Sequence, residues 1–207
     1  MDPTVAILIL AAGASSRMRG TDKLVQSVGG QPLLRRVAET ALATGMPVWV
    51  TLPTGAAARW AALAGLGVEI VEVPDAAQGM SRSLVRGVAS VIASFNASEA
   101  EDAAGLMILP ADMPDFTPHA LGRMIHAFCS DPRMIWRGGT ADGQPGHPAI
   151  FPRDLWPALA QVNGDEGGRS VLQANRDRLR LMPLPGAMAT CDLDTPEDWA
   201  AYRGRPL

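Results

Sequence analysis

Lysine is almost absent from this sequence: a single one, Lys23, stands against 17 arginines. Such a bias usually follows codon composition, so the lysine that survives it is a residue to account for. Charge is sparse too, at 19% of residues with a formal net charge of −3. No basic field exists to hold nucleic acid or an anionic membrane surface, and any bound phosphate must be gripped locally. Cysteine is limited to Cys129 and Cys191, far apart and at no metal-ligand spacing. That excludes a disulfide framework and suits a reducing, cytoplasmic compartment. Long apolar runs are missing as well. The run after Asp2 and Pro3 has only six apolar residues, too short for a signal sequence, and no stretch approaches the roughly 20 residues that span a bilayer. A soluble protein is expected. No linker, internal repeat or low-complexity segment breaks the chain, so residues 1–207 are expected to form one domain.

What is present is a well-stocked core, 47% hydrophobic, arranged with clear periodicity. Val5 to Leu10 is a continuous apolar run of strand length, as in a parallel sheet buried on both faces. Residues 32–43 place Leu33, Leu34, Val37, Ala41 and Leu42 at helical spacing, with Pro32 suited to a first turn and Gly45 to the exit. A strand over 48–52, a helix over 56–64 and a strand over 68–73 follow. Leu84, Val88, Val91, Ile92 and Phe95, with Met80, mark one face of a long helix over 79–95. Residues 106–109 form the next buried strand, and Thr117 and Pro118 open a helix running to about Cys129. Alternation of strand and helix predicts βαβ units and a mostly parallel, Rossmann-like α/β sheet flanked by helices. The last third is less regular. Short strands are predicted at 134–137 and 149–151, helices at 155–161 and 170–175, a strand at 179–184, and a helix start at Thr195 with Asp198 reaching back to cap it.

In an open parallel sheet, ligands sit beyond the carboxyl ends of strands. The first strand leaves there into Ala11-Ala12-Gly13-Ala14-Ser15-Ser16-Arg17-Met18-Arg19-Gly20-Thr21-Asp22-Lys23. Small residues let backbone N–H groups approach an anion, and the cations neutralise it. Neither G-x-x-x-x-G-K-[ST] nor a G-x-G-x-x-G after the strand occurs. By residue type alone the loop is either an anion cradle or a glycine-rich surface turn with solvated charges. Asp112, in Leu109-Pro110-Ala111-Asp112-Met113-Pro114, leaves a buried strand at the same edge. It is either a turn residue bonded to its own backbone or a ligand for Mg²⁺, which takes one or two carboxylates plus phosphate oxygens. Asp192 and Asp194 fall on one side of an extended segment. Gly79, Ser81 and Ser83, opening the long helix, serve as caps or as readers of a base edge or ribose. A lone histidine such as His147 is more often structural or exposed. Arg176, Arg178 and Arg180 read as a solvated face.

Leu10 through Lys23 resembles the signature L-A-[AG]-G-x-S-x-R-M-G-G-x-D-K of the molybdenum-cofactor nucleotidyltransferases, the MobA-like family. The likeness continues through the G-M-S-x-S-L, G-H-P, G-D-x-G-A-R and D-[IL]-D-T-P-E-D motifs and covers nearly the whole chain. One departure stands out: Arg19 occupies the place of the first glycine after methionine. If the backbone there needs a positive φ, arginine is strained.

The resemblance implies a nucleotide-diphospho-sugar-transferase-like architecture, with a nucleotide-binding part over about 1–115 and an acceptor-binding part over about 116–207. Leu10, Ala11, Ala12 and Gly13 would line the nucleotide, together with Gly79, Ser81 and Ser83. Arg17 and Lys23 would bind the triphosphate and, with Asp112, form the catalytic set. Asp112 and Asp194 would hold Mg²⁺. His147 and Arg169 would contact the anionic phosphate of the acceptor. Members using CTP tend to carry Leu-Ala-Ala-Gly where those using GTP carry Leu-Ala-Gly-Gly. The methyl group of Ala12 narrows the pocket, which favours a pyrimidine. The implied reaction transfers CMP from CTP to the terminal phosphate of molybdopterin, or of its molybdenum-loaded form, with release of pyrophosphate and no protein nucleophile. Transient contact with a molybdoenzyme or its chaperone is implied, and contact with nucleic acid or membrane is not. Two rivals stay open: transfer that uses GTP or another phosphorylated acceptor such as a sugar or polyol phosphate, and a non-catalytic nucleotide-binding chaperone that delivers cofactor to a molybdoenzyme.

Overall fold

Residues 4–97, 105–164 and 167–204 are described by the computed structural model. Asp165 and Glu166 of the G-D-x-G-A-R-like cluster, and the side chain of Met80, lie outside them. Strand β1 (Val5–Leu10) is followed by a minor hairpin of β2 (Ser27–Val28) and β3 (Gln31–Pro32), which delivers the chain into helix α1 (Leu33–Leu42). Then come β4 (Val48–Pro53), α2 (Ala57–Leu63), β5 (Glu69–Val73), α3 (Met80–Ala97), β6 (Gly105–Pro110) and α4 (Pro118–Ser130). The last third supplies β7 (Ile135–Gly139), β8 (Pro145–Pro152), α5 (Trp156–Leu159), α6 (Arg169–Ala174), β9 (Leu179–Pro183) and α7 (Pro196–Arg203). Seven strands form one sheet in the order β5-β4-β1-β6-β8-β7-β9. Its pairings are parallel except at β8, which runs against β6 and β7. The mostly parallel α/β sheet that the sequence predicts is the architecture of the chain.

Alternation along β1 divides the core between two faces. Val5, Ile7 and Ile9 pack with α1 and α4, among Leu34, Val37, Leu121 and Met124. Ala6 and Leu8 face the opposite layer, among Leu84, Val88 and Val91 of α3 and Trp156 and Leu159 of α5. Residues 5–9 are fully buried, and burial of each larger aliphatic side chain contributes about 1.5–3 kcal/mol. Helix α3 reaches the sheet at Gly87, where an added Cβ would lie 2.6 Å from Leu8 Cδ1 and 3.0 Å from Thr51 Cγ2. Any larger residue there would push the helix off the centre of the sheet.

The caps follow the sequence closely. Thr117 accepts from the amide of Ala120 with Pro118 in the first turn, and Thr195 and Asp198 form a reciprocal capping box. Two readings are revised. Pro32 ends β3 in extended backbone as the cap of α1 rather than entering its first turn. The strand expected at 149–151 is the eight-residue β8, which reaches back over Pro145, Gly146 and His147. Pro148 hides it. The register between β7 and β8 shifts at this point, between Arg137 and Gly139, and proline is tolerated in a strand at such a bulge.

Tyr202, the chain's single tyrosine, donates its hydroxyl to Asp115 Oδ1 at 2.9 Å and ties α7 to the loop after β6. Burial, and then this bond to Asp115, push the phenol up to about 12. A proton held more tightly in the fold than in the unfolded chain stabilises the fold in full below the unfolded pKa of about 10. That contribution is lost as pH rises through about 12. Phenolate absorbance of the native protein is therefore expected to rise near pH 12, and near 10 in denaturant. Tyr202→Phe should abolish the step and the loss of stability across that window. A native step near pH 10 would show that the bond is not made.

Candidate active site

The carboxyl ends of β1 and β6 lie side by side, and the amide of Ala111 donates to Leu10 O at 3.2 Å. The long loop after β1 folds back over this edge through two short turns, Ser16–Met18 and Lys23–Val25. Met18 and Leu24 are buried and act as its anchors. Asp22 caps the second turn by accepting from the amide of Leu24 at 3.0 Å. Beneath the loop lies Arg59 of α2, a buried guanidinium that sequence reasoning missed. It pairs with Asp22 at 2.7 and 2.9 Å and donates to Ala11 O at 2.6 Å. No local pattern marks it: one arginine in an Ala-rich helix acquires meaning only from what the fold sets above it.

Lys23 and the two carboxylates expected to bind metal meet at one point. Lys23 Nζ is 2.5 Å from Asp112 Oδ2 and 2.6 Å from Asp194 Oδ1, and Arg17 reaches Asp194 Oδ2 at 2.7 Å. Lys23, Asp112 and Asp194 are largely buried, with side-chain exposures of 12%, 21% and 16%, whereas Arg17 is 66% exposed. Burial works against the Lys23 ammonium, but Asp112 and Asp194 outweigh it and hold its pKa above that of an ordinary lysine. Burial likewise opposes the charge on Asp194, and Lys23 reverses it, so this acid sits below the usual carboxylate range. Asp194 is held in place from both sides. The amide of Leu193 donates to Asp112 O at 3.0 Å, and its own amide donates to Asp198 Oδ2 at 3.2 Å. Asp198 belongs to the capping box, as its sequence position predicts.

This donor set fits a hard divalent cation. The ammonium of Lys23 bridges the two carboxylates. Asp112 Oδ1 is buried with no hydrogen-bond partner among the described residues, which leaves it free to ligate. Among those residues no group of three or more His, Cys, Asp or Glu side chains forms a self-sufficient metal centre. Mg²⁺ asks for no such group, because it fills its shell with phosphate oxygens and water.

The residues expected around the nucleotide divide into open and buried ones. Gly13 is exposed, and an added Cβ would meet nothing within 4 Å, so the space before it is clear. Ala11 and Ala12 are buried at the mouth of β1, where Leu10 is partly covered. Gly79 holds φ 126°, a backbone state that favours glycine. Ser81 and Ser83 are buried. Ser83 Oγ lies 2.6 Å from Thr51 Oγ1, which accepts from the amide of Ala11 at 3.2 Å. Ser83 therefore reaches the loop through Thr51, a second residue the sequence did not mark. The doubt over Arg19 resolves as strain: it sits at φ 51°, ψ 42°, left-handed backbone that costs about 1–2 kcal/mol for a residue with a Cβ. Its guanidinium pairs with Glu197 at 2.9 Å.

On the other side of Asp112, His147 lies at the start of β8. Burial, then the charge of Arg137, lowers its pKa against the pull of Asp112, which favours the neutral ring. Arg169 opens α6 and is exposed. Its charge, after burial, acts on Arg137 of β7. Arg137 is a third residue that sequence reasoning passed over.

Against known proteins, the family model of the MobA-like NTP transferase domain matches residues 7–179. A probable molybdenum cofactor guanylyltransferase of Natronomonas pharaonis is 34% identical, with 96% of each chain covered. Nicotine blue oxidoreductase of Paenarthrobacter nicotinovorans is 26% identical, with 94% of each covered. Rv0371c of Mycobacterium tuberculosis superposes with a TM-score of 0.80 at 25% identity, over 98% of this chain and all of that one. It has also been solved in complex with manganese, and that structure superposes with a TM-score of 0.75 at 25% identity, over 96% of this chain and 97% of that one. Among the described residues no helix is long and apolar enough to cross a membrane.

Arg59→Leu strands the carboxylate of Asp22 and the carbonyl of Ala11. Asp22 is partly solvated, so the loss is expected near the low end for a broken buried pair, about 2–3 kcal/mol. Adding Asp22→Asn should return part of it by removing the stranded charge. Denaturant titration measures both. A double variant no more stable than the single one would show that the pair does not hold the loop.

Proposed function

Because the chain is a nucleotidyltransferase of the MobA-like NTP transferase family, we propose that it transfers CMP from CTP to the terminal phosphate of molybdopterin or the molybdenum cofactor, releasing pyrophosphate. The observation that carries this reading is the bridge of Lys23 between Asp112 and Asp194 beneath the phosphate loop. A triphosphate arriving over Gly13 gives Lys23 and Arg17 a stronger anion than the carboxylates they now hold. Both cations then stabilise the pyrophosphate as it leaves. The carboxylates so released, Asp112 and Asp194, would hold Mg²⁺, which supplies charge neutralisation at the phosphates. The acceptor phosphate is already anionic, so no protein nucleophile is needed. Catalysis rests on alignment and on charge. The manganese complex of Rv0371c supports use of a divalent ion by this fold.

The nucleotide-binding part is residues 1–115 and the acceptor-binding part residues 116–207, with His147 and Arg169 on the acceptor. Ala12 supports the choice of CTP, since its methyl group, at the mouth of β1, would narrow a base pocket against a purine. A second reading, GTP, is favoured by the names of the guanylyltransferase relatives. The same scaffold can host other activities, as the oxidoreductase relative illustrates. Product handed to a molybdoenzyme or its chaperone in the cytoplasm fits the low charge and the small number of cysteines.

Pyrophosphate release with Mg²⁺ and molybdopterin, measured for CTP, GTP, ATP and UTP in parallel, tests the proposal. Release with CTP alone is expected. Preference for GTP would overturn the Ala12 reading but keep the reaction, and release with no nucleotide would overturn the acceptor. Asp112→Ala should abolish turnover in a chain that still folds. Near-normal Mg²⁺-dependent turnover in that variant would overturn the assignment of Asp112.

A further inference from the structure

Strands β6, β8 and β7 are neighbours in the sheet, so the residues at this edge run in a line. Asp112 follows β6, His147 begins β8, and Arg137 projects from β7. Two glycines make the line tight. A Cβ at Gly138 would fall 2.3 Å from His147 O, and one at Gly146 would fall 1.9 Å from Ala189 O. Strands packed this closely let Arg137 reach along β8 and donate from Nε to Gly146 O at 2.8 Å. That single bond fixes the guanidinium. Its two terminal nitrogens have no hydrogen bond or ion pair among the described residues. Several other partly or fully buried arginines are matched by carboxylates, Arg59 by Asp22, Arg82 and Arg86 by Asp75, and Arg178 by Asp154, whereas Arg36, like Arg137, donates to a carbonyl, that of Pro114.

Arg137 thus presents an open, half-desolvated fork, and the charge that lowers its pKa, after burial, is that of another cation, Arg169. His147 Nδ1, between Arg137 and Asp112, is buried and also lacks a partner among the described residues. The Arg137 fork and the buried His147 Nδ1 thus have no acidic partner among the described residues, and leaving such desolvated polar groups unsatisfied costs free energy unless a ligand completes them. We propose that Arg137 is an acceptor-binding residue which, with Arg169, takes the dianionic phosphate monoester of the acceptor. This rests on the transfer reaction proposed above and adds the residue that reads the acceptor's charge. The chemistry matches. A planar guanidinium offers two parallel N–H bonds to two oxygens of one phosphate, and a second cation balances the second negative charge. A monoanion such as a carboxylate or sulfate ester would leave one cation uncompensated. The subsite lies across Asp112 from Lys23 and Arg17, so a phosphate held there faces the triphosphate from the opposite side.

The probe is phenyl phosphate, titrated by NMR against wild type, Arg137→Gln, Arg137→Lys and Arg169→Gln, with phenyl sulfate as the monoanion control. Arg137→Gln is expected to weaken phenyl phosphate on the order of tenfold. Arg137→Lys should weaken it less, because charge is kept and only the fork is lost. Phenyl sulfate should bind wild type more weakly than phenyl phosphate. In turnover, Arg137→Gln should raise KM for the acceptor and leave KM for the nucleotide unchanged. Wild-type affinity for phenyl phosphate in Arg137→Gln would overturn the proposal, and so would equal affinity for the two esters. If Arg137→Gln fails to fold, exposed Arg169→Gln carries the test, and an unchanged Kd there would overturn it. The two readings fail separately. Loss of phenyl phosphate binding without any turnover in wild type would keep this subsite and sink the transfer reaction. Normal turnover with unchanged acceptor KM in Arg137→Gln would do the reverse.

Discussion

One ammonium ion holds this site together. Lys23 contacts carboxylates from residues 112 and 194, so the first, middle and last parts of the chain meet at its Nζ. Much of the local structure serves that meeting. Leu24 is buried beside it, Asp22 caps the turn that carries it, and Arg59 clamps Asp22. On the far side, the bond from Leu193 to Asp112 and the capping box at Thr195 set Asp194 against the same atom. Half-buried ion pairs of this kind add little to stability, because desolvation offsets most of the attraction. Their contribution is geometric: they keep the two carboxylates converged on one point.

The sheet edge divides on either side of that point. Toward β1 lie the loop with its clear space at Gly13 and the buried relay from Ala11 through Thr51 to Ser83. Toward β8 and β7 lie His147, its Nδ1 buried, and two arginines, Arg137 and Arg169, without acidic partners among the described residues. Opposite ends of one line of charge thus suit two anions, with the carboxylates between them. The parallel order of β1 and β6 puts their carboxyl ends together, and the reversed direction of β8 brings its amino end, with His147, to the same edge.

Much of this was legible in the chain itself. Continuous apolar runs gave away β1, β4 and β6, and paired threonine and aspartate or proline gave away the starts of α4 and α7, because those signals are local. The placement of the loop after β1 and of Asp112 at one edge was legible for the same reason: each follows a buried strand, and the two strands are parallel neighbours. The strand β8 was not, since its prolines and glycine mimic a loop until β6 and β7 flank it. Arg59, Thr51 and Arg137 were invisible because each is ordinary in its own element and gains a partner, or lacks one, only through sheet order. Arg19 was flagged correctly as a residue out of place, and it does sit in left-handed backbone.

If Asp112 and Asp194 form the cation site proposed above, Lys23 Nζ occupies the position that a divalent cation would take between them. Manganese binding in the absence of nucleotide, followed by the EPR signal of free Mn²⁺, tests it most directly in wild type and in Lys23→Met. Removing a competing positive charge from between two carboxylates is expected to tighten Mn²⁺ on the order of tenfold. Mn²⁺ affinity unchanged or weakened in Lys23→Met would contradict the account.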